Sequence, residues 1–365
     1  MTMTPVAAAA ALRGDAVLTA DALHLGLQDC SLRLRSNSTA LIDLLKDYFN
    51  HVLIAPCDPD LEIVAVECDA PDLGVTFIDW PREPGKTGRK DSYLDLDGAR
   101  LVRKIRTGMV FLHGTADRIA AGPCLRNDNQ VINFINAQYM EWLQNRDWLI
   151  CHASGLVRDG RCLAIAGLSG GGKSTLMLRM MDDPEVSYLT NDRLFIRVDD
   201  GFTEAVGIPK LPRINPGTIV HNPALHGLMT AQQRDAFLAM PPDQLWTLED
   251  KYDVHLDRVY GSGRISERAT LSAFLVLNWE RDTGKPLKVE RVNLAERLEL
   301  LSAIMKSPGP FYQFTDGRFF SDSMALDQSA YLKALAGIDI FEASGGIDFD
   351  ALSQHCLNEL IGGKK

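Results

Sequence analysis

The sequence predicts an α/β protein of two domains, a smaller α+β module followed by a larger α/β domain built around a glycine-rich loop between a strand and a helix. Three observations carry that expectation. In the first third, short runs alternate apolar and polar residues as half-buried strands do, around one helical stripe. Over residues 121–129, AGPCLRNDN breaks the pattern and places a boundary between 125 and 126. Beyond it, the apolar run CLAIA enters a cluster of glycines, GLSGGGKST, and the helical run STLMLRMM leaves it.

The elements follow in order. Residues 1–20 read as a flexible terminus, and residues 21–125 as the α+β domain. From Leu23, LHLGLQ and SLRLRS alternate as two strands. Asn37 or Ser38 caps a helix with Leu41, Leu44, Leu45, Tyr48, Phe49 and Val52 on one face. Strands are expected at LEIVAV (61–66), VTFIDW (75–80), SYLDL (92–96) and RLVRKIRTGMVFL (100–112), with PREPGKTGRKD (81–91) a polar connection. The domain over 126–365 opens with a helix across NQVINFINAQYMEWLQNR. The strands WLICHASGLV and RCLAIAG come next, joined by Asp159-Gly160. A two-residue hairpin there pairs Arg158 with Arg161 and brings His152 across from Gly167.

Composition narrows the function. A chain of 365 residues, 46% hydrophobic and 24% charged, is an ordinary globular protein with length enough for a sizeable core. Its net charge of −10 argues against a general nucleic-acid surface, so an anionic ligand needs a local basic site. Seven cysteines, odd in number and never in CxxC spacing, read as reduced thiols of a cytoplasmic protein without a cysteine metal centre. MTMTPVAAAAALRG lacks a basic leader region, and its alanines are too weakly apolar for a secretion signal or a membrane span.

Glycine loses the most freedom on folding, so Gly167, Gly170, Gly171 and Gly172 around one serine need a reason. GLSGGGKS fits G-x-x-x-x-G-K-[ST] between a strand and a helix. Glycines let successive backbone N–H groups converge on phosphate oxygens, and the helix adds the positive end of its dipole. Gly167, Ser169, Gly170, Gly171, Gly172, Lys173, Ser174 and Thr175 are therefore candidates to bind ATP, with Lys173 between the β- and γ-phosphates and Ser174 on Mg2+. In YLTNDRLFIRV, Asp192 sits in the middle of an apolar strand, where it must be paired, bind metal or act as a base. Lys210 and Arg213, among prolines in IPKLPRINPG, are candidates to hold an anionic substrate. HNPALHGLM, KYDVHLDRVYGSGRISER and KSPGPFYQF are irregular stretches that either face an acceptor or simply connect elements.

Over about residues 129–300 the sequence resembles the HPr kinase/phosphorylase family, in particular the HPr kinase-related kinases of the B type. The resemblance implies a kinase domain with a mixed sheet. His152, 21 residues before Lys173, matches the family's catalytic histidine, and Asp192 matches the second Asp of an Asp-Asp pair, the base that deprotonates the acceptor hydroxyl. Asn191 replaces the first. Glu204, in EAVG, resembles the magnesium-binding glutamate of E-I-R-G, with Val206 where arginine is expected, so Ser174, Asp192 and Glu204 form the implied metal set. Arg291 and Arg258 are alternatives for a catalytic arginine. The implied reaction moves the ATP γ-phosphoryl group to a hydroxyl, on a serine of a small protein partner or on a small molecule, in a homo-oligomer, with reverse phosphorolysis also known in the family. The loop is also similar to the G-L-S-G-T-G-K-T-T-L of ATP-dependent phosphoenolpyruvate carboxykinase, which shares the nucleotide-binding fold, although none of that enzyme's oxaloacetate motifs is found. A non-catalytic nucleotide-binding regulator is the other reading, since Asn191 and Val206 stand at positions of charge.

Overall fold

The computed structural model describes residues 3–81, 88–167, 171–280 and 284–362. It is a mixed α/β protein in which each of the two larger sheets combines parallel and antiparallel pairs. Contacts divide the chain into two units, Met1–Asp147 with Ser307–Ala325, and Trp148–Lys306 with Leu326–Lys365. The division therefore falls at 147/148 and not at 125/126. The expected helix, Asp128–Gln144, packs with the strand Leu61–Glu67 and the helix Thr39–Tyr48 of the first unit.

In the first unit the expected flexible terminus is instead a helix, Pro5–Arg13. Thr4 caps it, Pro5 occupies its first turn, and alanine is the best helix former. Its small face buries Ala8, Ala9 and Leu12 beside Val110 and Ile119. The described strands of the sheet run in the order Ala22–Leu27, Cys30–Ser36, Leu61–Glu67, Arg118–Gly122, Val110–Gly114, Ala99–Lys104, Asp91–Leu96, Ile78–Asp79. The expected run 100–112 is a hairpin, folded back at Gly108, whose φ is 72°. VTFIDW contributes only the exposed pair Ile78–Asp79. Ser38, not Asn37, caps the first amphipathic helix, accepting from Leu41 N. KSPGPFYQF passes mostly into this unit, where Phe311 packs edge-on against Phe111 and Phe134. Buried Arg100 donates to the carbonyls of Pro310 and Phe320.

The second unit centres on the strand Arg161–Gly167, antiparallel to Ala153–Arg158 and parallel to Arg268–Leu277. Arg158 pairs with Arg161, as the hairpin expectation requires, and Asp159 and Gly160 both take positive φ in the turn. One edge of Arg268–Leu277 is covered by Arg161–Gly167 along its length. The other is shared by Phe202–Val206 at its start and Asp339–Ser344 at its end. Alternate residues of the central strand point to two cores: Leu163 and Ile165 toward the helix Lys173–Met180, Ala164 and Ala166 toward Leu301 and Ile304. Burial on both faces is what its unbroken apolar run encodes.

The expected single strand 188–198 is two, Ser187–Thr190 and Leu194–Asp199. The first pairs with Ala153–Arg158, the second with Leu149–Cys151 and Phe202–Val206. The polar triad Asn191-Asp192-Arg193 is the crossing between them, which frees Asp192 from any ladder. WLICHASGLV breaks likewise at His152, between Leu149–Cys151 and Ala153–Arg158.

Candidate active site

Gly167 ends its strand at φ 156°, with a Cβ there 3.0 Å from Leu277 Cβ. Ser169 and Gly170 lie outside the described residues. Gly171 and Gly172 lead into the helix Lys173–Met180. Gly172 has φ 86°, and a Cβ on it would stand 2.6 Å from Phe349 Cζ and 3.3 Å from Trp279 Cζ2. Backbone conformation and space therefore both demand glycine. Trp279 Nε1 donates to Gly171 O at 3.0 Å, and its ring meets Phe349 edge-on at 5.0 Å between centroids. Buried Lys173 donates from Nζ to Gly167 O at 2.8 Å, closing the loop across its mouth. Ser174 and Thr175 are half-buried in the first turn, and Thr175 Oγ1 shares a hydrogen bond of 2.8 Å with Thr218 Oγ1.

His152 lies one residue beyond the ladder, so its register faces Gly167. Its own N–H bonds Ile304 O at 2.7 Å, and Cys151 bridges Met305. That pairing brings Lys306 to the site. Thr190, Gly155 and Ala164 share a row of the sheet, so Asp192 sits at the same end as Gly167, two strands and about 10 Å away. Asp192 Oδ1 is 3.2 Å from His152 Nε2; its Oδ2 is 3.8 Å from Lys306 Nζ and 3.6 Å from Arg193 Nε. The Asp192 side chain is 45% exposed, whereas Lys306 is 13% exposed. The carboxylate thus faces outward from a shielded cationic bed.

Desolvation works to raise the Asp192 carboxyl, but the His152 hydrogen bond and the charges of Lys306 and Arg193 outweigh it and hold it well below the usual carboxylate range. The hydrogen bond to Asp192 works to raise His152, yet burial and the charges of Lys306 and Lys173 win, and the ring is lowered. A neutral imidazole carrying its proton on Nε2 donates to an anionic Asp192. Burial pushes Lys210 down to about 8, helped by Arg193 and Arg213. Arg213 Nε stands 3.0 Å from Asp253 Oδ1 across the two-stranded pairing of Arg213–Ile214 with Tyr252–Asp253.

Three expected site residues lie elsewhere. Glu204 shares a row with Thr270 and Arg161, at the opposite end of the strand from Gly167 and roughly 20 Å from it. There it is held by Arg197 at 3.1 Å and Arg268 at 3.6 Å, so it does not join Ser174 and Asp192 in a metal set. Arg291 is three strands over, about 14 Å laterally, exposed and paired with Asp339. Arg258 is exposed on the short helix Leu256–Tyr260. Conversely, Lys306 and Phe349 enter the site without any spacing signal in the sequence, and Trp279, whose strand the family resemblance covers, joins them.

Two features fit a polyphosphate with a divalent cation. Gly172, at φ 86°, turns the chain into the N-terminus of the helix Lys173–Met180, whose first N–H groups favour an anion. Asn191 Oδ1, beside Asp192, is buried with no hydrogen-bond partner among the described residues and can accept from a metal-bound water. Among the described residues no three His, Cys, Asp or Glu side chains converge as a metal centre. Magnesium, which keeps several waters and takes substrate oxygens, does not require one. A cavity of about 920 Å³ lies by the other end of the helix Lys173–Met180, lined in part by Arg158, Arg179, Asp182, Tyr260 and Arg264. Its arginines are committed, Arg264 to the carbonyls of Met181, Asp183 and Val186, and Arg179 to Asp350.

No family model matches the chain, and no curated protein matches it. Among solved structures the chain is similar to the Hpr(Ser) kinase/phosphatase from Coxiella burnetii, 12% identical, over 57% of this chain and 92% of that one, with a TM-score of 0.27. At that score the likeness carries no weight, and the site is read from its own geometry. No helix among the described residues is long and apolar enough to cross a membrane.

Proposed function

We propose that the second unit is an ATP-dependent phosphotransferase that passes the γ-phosphoryl group to a hydroxyl. The observation that carries this reading is a glycine loop closed by Lys173 and, at the same sheet end, an outward-facing anionic Asp192 on a bed of cations. Lys173 exchanges the Gly167 carbonyl for phosphate oxygens, and the helix-terminal N–H groups accept the remaining charge. Ser174 and Asp192 would hold magnesium, which neutralises phosphate charge when bound.

Asp192 with so low a pKa is a weak base in the resting protein. A polyphosphate cancels the positive field of Lys306, Arg193 and Lys210, and the carboxylate's proton affinity then climbs. It orients the acceptor hydroxyl and takes its proton late in a loose transfer, where little basicity is required. His152 fixes the carboxylate by its Nε2–H. The acceptor is a serine of a small protein partner or a small-molecule hydroxyl.

The test uses γ-labelled ATP, with cell extract as the source of acceptor. Wild type should transfer label, and Asp192→Asn should still bind ATP through Lys173 and the helix N-terminus while losing transfer by at least about a hundredfold. Equal labelling by the two proteins would remove Asp192 from the reaction. ATP binding without transfer by wild type would favour a nucleotide-binding regulator, the reading suggested by Asn191 where the resemblance expects a carboxylate.

A further inference from the structure

The Gly171–Gly172 peptide is held from outside its own loop. Its carbonyl accepts from the Trp279 indole at 3.0 Å, while the Trp279 and Phe349 rings close on the Gly172 Cα. The two aromatics come from separate elements. Trp279 follows Arg268–Leu277, the parallel neighbour of the strand that feeds the loop, and Phe349 opens the helix Phe349–His355. That helix is tied to the loop's own helix by the Arg179–Asp350 ion pair. In a trans peptide the C=O and the following N–H point in opposite directions. A carbonyl directed at Trp279 therefore aims Gly172 N–H away from the aromatic pair.

We propose that Trp279 is a positioning residue for polyphosphate: its indole N–H orients the Gly171–Gly172 peptide so that Gly172 N–H is set for a phosphate oxygen before ligand arrives. The inference rests on the phosphotransferase reading, but concerns binding and requires no acceptor. Pre-setting the peptide removes an ordering cost that the ligand would otherwise meet. The aromatic pair confines Gly172, while the indole N–H selects one of its peptide orientations. A phenylalanine at 279 keeps the shelf and loses the selection.

The experiment is calorimetric titration of the full chain with magnesium ATP and, separately, with inorganic triphosphate, alongside thermal unfolding. In Trp279→Phe both ligands should bind about tenfold more weakly, the scale of one lost hydrogen bond. Trp279→His, which keeps a ring N–H, should recover part of the loss. If triphosphate binds Trp279→Phe as it binds wild type while ATP weakens, the ring is a base-stacking platform and the proposal fails. If both ligands are unaffected and only the melting temperature falls, the residue is structural and the proposal also fails. If wild type binds neither ligand, the phosphotransferase reading falls and takes this inference with it.

Discussion

Asp192 is a half-buried carboxylate whose charge is set by its chain neighbour Arg193 and by two residues distant in sequence, His152 and Lys306. Lys210 adds a group that titrates near working pH. Its pKa is lowered to about 8, so the ammonium is charged below that value and neutral above it. Affinity for magnesium ATP should therefore fall by about three- to tenfold as pH rises from 7 to 9, and Lys210→Arg should flatten the change. Calorimetric titrations across that range check it; an equal decline in the arginine variant would separate Lys210 from the ligand. Lys173 was legible as the motif lysine, Asp192 as a carboxylate inside an apolar run, and the position of His152 across from Gly167 from the hairpin register. Lys306 was not. It stands 114 positions after Asp192, in a stretch whose prolines advertise only a turn, and the backbone pairing of Cys151 with Met305 is what delivers it.

At the level of elements, the hairpin 153–167 could be read to the residue because Asp159-Gly160 admits the positive φ of a two-residue turn. The strand 188–198 could not, since its flanks are apolar enough to read as continuous. Only the sheet order shows that its halves serve different neighbours. The same order displaces Glu204. Because it lies at the far end of the sheet and is neutralised by Arg197 and Arg268, Glu204→Gln should leave the magnesium dependence of ATP binding unchanged within about twofold. The variant should instead lower the melting temperature slightly through the loss of an ion pair. Magnesium titrations followed by nucleotide binding decide the matter, and a tenfold loss of metal response would return Glu204 to the site.

For the whole molecule, composition foretold a globular chain with a large core, but not how the chain is shared between its units. The amino terminus was misread because its alanines, with no large apolar stripe, hide a helix that packs through small residues. The excursion of 307–325 into the first unit was invisible because its anchors, Phe311 and the carbonyls bonded to Arg100, are tertiary partners. All described residues proposed to bind phosphate or act on the acceptor fall in the second unit, on a protein whose net charge of −10 repels anions at long range. A polyphosphate would therefore have to be held by local groups, Lys173 and the N-terminus of its helix. The most direct measurement is calorimetric titration of the full chain with magnesium ATP, comparing wild type with Lys173→Met. Saturable one-site binding that weakens at least about a hundredfold in the variant is the predicted result. Absence of binding to wild type, or equal affinity in both proteins, would contradict the account.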